Sequence, residues 1–417
     1  MEPLNNISLF RVRQEFPSEH IPDVGAAVRD ALNGSGVAIS RGAKVAVAVG
    51  SRGIAGLPAI VAAVIDWVRA RGGLPFIVPA MGSHGGATAE GQIEVLHGYG
   101  ITEAAVGAPV RSSMDVIRLP RGECPVDVYF DRLASEANAT IILNRVKPHT
   151  SFRGTYESGL MKMMAVGLGK HRQALAIHAL GVEGLRNVMP KVAGQVLRHG
   201  NVALGVAVVE NAYDEPMAVR AIPAARIPEE EPALLDMARR NMPRLPLDQV
   251  DLLVVDEMGK NISGLGMDTN IIGRLKIRGQ PEPDRPDIRV IVARDLTPET
   301  GGNAAGIGLA DVVTRRLVDK IDYRATYENV LTTGFLERAR IPIVAGTDRE
   351  ALAIAFRAAG MPLPSKARII RIRNTLRLTE LHMSGAAVDA IGGGAGVEVV
   401  GPVPALFYPD DTLCPFE

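Results

Sequence analysis

The sequence predicts an α/β protein of two domains, the first built on a mainly parallel, doubly wound sheet, with the active site in the cleft between them. Two observations predict the class: short valine-rich runs of strand length that end in glycine, and apolar-periodic segments of helical length between them. A third, the length of 417 residues, is too great for one ordinary core and suits two.

Residues 44–50 (KVAVAVG) form the first such strand, followed by Ser51, Arg52 and Gly53 and by a helix over 57–70. Gly72 and Gly73 stop that helix, residues 74–79 form the next strand, and a glycine-rich loop over 81–88 leads into a helix over 89–97. Thr88 is placed to cap it, because its hydroxyl can accept an otherwise orphaned amide of the first turn. Residues 139–143 repeat the strand signal and lead into the loop of His149; residues 202–209 close the domain. In a parallel sheet, the polar loops at Ser51–Arg52, His84 and His149 leave the same edge and converge on one crevice.

The first domain is expected over 1–245, ending in a helix and linker over 227–246. The second, 246–417, carries strands at 250–256, 288–293, 341–345 and 367–372 and helices at 307–320 and 349–360, with a tail of about 25 residues packing back on the first domain. The run from Lys366 to Arg373 alternates Arg with Ile, the pattern of a strand with one solvated face.

Composition excludes several functions. Lysine plus arginine and aspartate plus glutamate both number 46, and no basic stripe is present, so neither nucleic acid nor an anionic membrane is an expected partner. Glu2 and Asn5 stand where a signal peptide would be cationic and then apolar, and no apolar run spans a bilayer. Two cysteines, Cys124 and Cys414, are too few for a disulfide framework, so a cytoplasmic enzyme is expected.

The chemistry-bearing residues cluster. His84 lies in Gly82-Ser83-His84-Gly85-Gly86, where glycines leave the imidazole uncovered; the blander role is capping the next helix. Arg52, at a strand end, is shaped to hold a carboxylate by two parallel hydrogen bonds, against a plain surface ion pair. His149 follows the stiffening Pro148; His178 lies in a helix over 172–180, and His171, seven residues earlier, suits either one shared helical face or a half-buried position beside core Ala and Leu. Lys162, among methionines, either snorkels outward or is desolvated into a nucleophilic amine. No HxxxH or CxxC zinc signature is present, and Gly167-Leu168-Gly169-Lys170 lacks the first glycine and the Ser/Thr of a phosphate loop. In the second domain, the loop 259–268 offers Lys260, Ser263 and Asp268 to an anionic or polyhydroxylated substrate, and 302–311 is a glycine-rich turn.

These residues together resemble the nickel-dependent lactate racemase family, best over residues 40–210 and more faintly beyond. The matching elements are Ser51-Arg52, then Gly82-Ser83-His84 with Thr88 and Glu90, then Pro148-His149, Gly159, Lys162, Gly167 and His178. The resemblance implies an isomerase of 2-hydroxy acids that carries a nickel-pincer nucleotide, supplied by pincer-synthesis proteins. His84 and His149 would be alternating acid and base, Lys162 the covalent tether and His178 the nickel ligand. Arg52 and Lys260 would hold substrate, and Ser51, Gly82 and Gly159 would line the cofactor. The sequence departs from the family where methionines flank Lys162, where Arg153, Tyr156 and Glu157 lengthen the stretch before it, and where Val49-Gly50 replaces an acidic residue. These departures imply a hydroxy acid other than lactate, larger or a sugar acid epimerised at C2. The alternatives are a metal hydrolase using the same histidines, and a small-molecule binding protein without turnover.

Overall fold

The computed structural model describes residues 3–51, 53–392 and 396–416. In chain order the strands are β1 (Leu9–Gln14), β2 (Lys44–Val49), β3 (Leu74–Pro79), β4 (Val116–Leu119), β5 (Val128–Asp131), β6 (Ala139–Arg145), β7 (Val202–Glu210), β8 (Pro216–Pro223), β9 (Gln249–Met258), β10 (Asp287–Leu296), β11 (Val312–Thr314), β12 (Ile343–Ala345), β13 (Ile369–Ile372), β14 (Glu380–Ser384) and β15 (Val397–Pro402). The chain folds as two compact units, Pro17–Met242 and a second made of Met1–Phe16 with Pro243–Glu417. Both are α/β, with sheets dominated by parallel strands.

In the unit Pro17–Met242 the sheet order is β3-β2-β6-β7-β8. The first four strands are parallel and β8 returns antiparallel to β7. The valine runs become strands because both faces are covered: Val45, Val47 and Val49 of β2 are fully buried with Ile60, Val61, Val64 and Val68 of the helix Leu57–Ala70. Thr88 caps the helix Ala89–Gly98 by accepting the Gly91 amide at 3.1 Å, as expected. The sheet extends one strand past 202–209, because residues 216–223 turn back through Asn211, whose side chain accepts the Tyr213 and Glu215 amides.

The other unit holds a sheet of order β12-β11-β10-β9-β13-β14-β1-β15, parallel from β12 to β13 and antiparallel beyond. The segment of β1 therefore belongs here and not with the residues that follow it, because β1 pairs with both β14 and β15. The tail pairs through β15 within this same unit, and the units divide at 242/243 where the sequence suggested 245/246.

Two element expectations are corrected. Residues 307–320 are not one helix: the β-branched run Val312–Thr314 pairs with β10 and β12, and the helix Arg315–Val318 begins only after Thr314, whose hydroxyl caps it. The alternating Arg/Ile strand has no solvated face either. All four residues of β13 are buried, and Arg371, only 1% exposed, is held by Asp256 through two bonds of 2.9 and 2.7 Å.

Candidate active site

Three neighbouring parallel strands, β3, β2 and β6, end on the edge from which the loops of His84, Ser51 and His149 leave. Ser51, directly after β2, hydrogen-bonds through its hydroxyl to Nδ1 of His84. The Tyr99 hydroxyl donates to the Ser51 carbonyl at 2.8 Å and so fixes the serine from behind. His84 itself is exposed, as its glycine-rich setting predicts. Arg52 lies outside the described residues.

The loop that presents His84 is built from beneath. Gly82 has φ +61°, a left-handed conformation that suits glycine, and a Cβ there would lie 3.2 Å from Val166. Gln92 donates to the Gly82 carbonyl at 2.9 Å, and its amide oxygen receives Lys170 Nζ at 3.1 Å. That same ammonium reaches the Pro79 carbonyl and stands 3.0 Å from Asp131, with both charged side chains fully buried. Burial pushes the Lys170 pKa down, opposed by the charge of Asp131. Lys170 is thus a prop under the β3 loop, and Gly167-Leu168-Gly169-Lys170 is no phosphate loop.

His149 is braced by Arg153 and Glu157. Its amide donates to Glu157 Oε2 at 2.6 Å, and Arg153 donates to its carbonyl at 2.6 Å. Glu157, fully buried, is paired in turn with Arg239 at 2.7 Å. The Ser151 amide donates to His149 Nδ1 at 3.0 Å, so the neutral ring carries its proton on Nε2. Phe152 packs against the ring at 4.7 Å between centroids.

Lys162 ends the short helix Leu160–Lys162, which runs on through 163–167 into the helix Lys170–His178. His178 is desolvated and lies close enough to Lys162 for the lysine charge to add to that effect; together they lower its pKa to about 4. It is a neutral imidazole at ordinary pH, the form a metal requires. His171 opens the same helix, two turns from His178, and its Nδ1 has no hydrogen-bond partner among the described residues.

Gly159 begins this segment. Asn144 holds its carbonyl at 2.9 Å, and a Cβ on it would lie 2.3 Å from Glu231 Oε1. The other Glu231 oxygen accepts the Met161 amide at 2.8 Å, capping the turn that carries Lys162. Burial raises the Glu231 pKa to about 7, partly offset by the Met161 and Leu160 amides. Sequence reasoning missed Glu231, Tyr99, Gln92 and Asp131. The last three are ordinary polar residues in pattern, and Glu231 sits in the acidic first turns of the helix Ile227–Asn241. Lys260 lies in the other unit, in the loop after β9.

The structure therefore joins Ser51 to His84, carries Lys162 and His178 on one run of helical segments, and sets the Gly82 loop against the segment 166–174. Among the described residues no three His, Cys, Asp or Glu side chains group as a metal site.

The model of a domain of unknown function, DUF362, matches residues 47–229, the part of the chain that holds these loops. A comparison with curated protein sequences returns no match. Among solved structures, the lactate racemase apoprotein from Thermoanaerobacterium thermosaccharolyticum aligns with a TM-score of 0.50 and 13% identity, covering 88% of this chain and 98% of that one. The two-domain α/β fold is thus lactate racemase-like. No helix among the described residues is long and apolar enough to cross a membrane.

Proposed function

We propose that this chain is a racemase or epimerase of a 2-hydroxy acid other than lactate, working with a nickel-pincer nucleotide tethered to Lys162. The observation that supports this reading is a desolvated imidazole, His178, its pKa lowered to about 4 by burial and by the charge of Lys162, on the run of helices that packs against the His84 loop.

The residues present fit such a group. A metal held mainly by its own organic ligand asks the protein for one neutral nitrogen and an anchoring amine, which His178 and Lys162 supply. A hydrolytic zinc asks for three protein ligands, and the described residues assemble no such set. Gly82, and Gly159 with the Glu231 carboxyl filling its side-chain space, would form the close wall of the cradle. Loading would depend on pincer-synthesis proteins as maturation partners.

Inverting a 2-hydroxy acid by removing its α-proton is hard, because the carboxylate already carries a charge and a dianion would form. When bound, the pincer supplies an acceptor for the α-hydrogen together with its electron pair, which avoids that dianion. The chain's own groups then handle the hydroxyl proton. With Nδ1 donating to the Ser51 hydroxyl, His84 would take the proton from the substrate hydroxyl on Nε2. His149 would return a proton to the oxygen on the other side from Nε2 of its imidazolium form, ending as a neutral ring with its proton on Nδ1, which requires Nδ1 to release the Ser151 amide that it accepts in this structure. Running the reaction backwards exchanges the roles of the two histidines. Arg52 is assigned to the substrate carboxylate.

The test uses protein matured with pincer-synthesis enzymes and a panel of enantiopure 2-hydroxy acids deuterated at the α-carbon. Inversion with the deuterium retained is the expected result. Inversion with washout into solvent contradicts the mechanism, and no inversion of any acid contradicts the function.

A further inference from the structure

In the unit formed by β9–β15 and β1, strand order reverses at β9: the chain passes to β10 on one side and comes back to β13 on the other. At such a reversal the loops leaving the carboxyl ends of the two strands diverge, and ligands of open α/β sheets bind in the crevice outside them. Arg373 is the first residue beyond β13, and its carbonyl accepts the Glu257 amide of β9 at 2.9 Å. The two loops are locked together, with the Asp268 amide donating to Thr375 at 2.9 Å.

Beside this junction is a cavity of about 330 Å³ lined by Arg373, Arg377, Thr379, Glu380 and Phe416. Its aromatic wall is fixed: the Phe416 ring stacks on His382 at 4.4 Å with 4° between planes, and Arg371 lies over it at 5.5 Å. Arg371 is committed to Asp256, whereas Arg373, which lies over the Phe416 ring at 5.9 Å, and Arg377 are exposed and join none of the ion pairs among the described residues. Two guanidiniums that join no such ion pair and face one cavity present a fork of donors that matches carboxylate or phosphate oxygens.

We propose that this cavity binds a small anion with two or more carboxylate or phosphate oxygens, held by Arg373 and Arg377. The site does not depend on the reading of the other unit. Glu380 shares the cavity, so it opposes an anion and sets the sign of a diagnostic substitution.

The test is calorimetric titration of the full chain, at low ionic strength, with inorganic phosphate and separately with succinate. One-to-one saturable binding of at least one probe is expected, and the tighter of the two names the chemistry. Arg373→Ala and Arg377→Ala should each weaken it about tenfold or more, and Glu380→Gln should tighten it. Arg357→Ala, at an exposed arginine of the helix Asp348–Ala358, should leave it unchanged. Saturation by neither probe overturns the proposal, as does binding that survives both arginine substitutions, weakens equally in Arg357→Ala, or weakens in Glu380→Gln.

Discussion

The Lys170 ammonium lies 3.0 Å from the Asp131 carboxylate with both side chains fully withdrawn from water, and it also reaches the Pro79 carbonyl at the end of β3. Lys170 holds this position with φ +53°, a conformation disfavoured for a residue with a side chain. The pair therefore ties the segment carrying His178 to the floor of the His84 loop. Lys170→Met leaves Asp131 buried and unpaired and should cost about 3–5 kcal/mol in denaturant unfolding. The double variant Lys170→Met/Asp131→Asn should recover much of that loss; an equal loss in both would show that packing, not charge, is at stake.

Gly159 and Glu231 make a second such dependence. Alanine at 159 would place a methyl 2.3 Å from Glu231 Oε1, so Gly159→Ala should destabilise by about 1–3 kcal/mol and disturb the turn leading to Lys162. Adding Glu231→Ala should relieve the clash, and a double-mutant cycle measures the coupling. Additive effects would contradict the contact.

Glu231 and His178 oppose each other in their pH dependence. His178 sits at about 4, below its ordinary 6.5, so the unfolded chain binds the proton first and stability is lost as pH falls from 6.5 through 4. Glu231 sits at about 7, above its ordinary 4.5, so the folded chain keeps the proton longer and stability is lost as pH rises from 4.5 through 7. Glu231→Gln should thus raise the melting temperature relative to the parent more at pH 8 than at pH 4.5, and His178→Gln more at pH 4 than at pH 7. Differences that stay constant across pH would contradict both assignments.

Ser51 orients His84 without touching the reacting atoms in this account. Ser51→Ala should lower kcat about tenfold and change KM little, whereas His84→Ala should lower kcat about a hundredfold or more. A Ser51→Ala effect confined to KM would contradict the positioning role.

The sheet edge bearing Ser51, His84 and His149 was legible because β2, β3 and β6 are continuous apolar runs buried on both faces, a signal carried within a few residues. β1 was not, since its Arg11 and Arg13 break the apolar pattern and its partners lie near the other end of the chain. The burial of Arg371 depends on Asp256, 115 positions away, and the capping of Met161 on Glu231, 70 positions away. Neither local period nor spacing carries such pairings. His84, His149, Lys162 and His178 are singled out by residue type and order alone, whereas the contacts that orient the two imidazole loops, Ser51 on His84, the Ser151 amide on the His149 ring and Glu157 on the His149 backbone, follow only from the folded loops.

Whether Lys162 anchors a nickel-bearing organic group is decided by intact-protein mass spectrometry with metal analysis after co-expression with a pincer-synthesis system. One covalent adduct per chain is expected, mapped to Lys162, with about one nickel, and absent from Lys162→Ala. An unmodified, nickel-free chain under conditions that load a known pincer enzyme would contradict it.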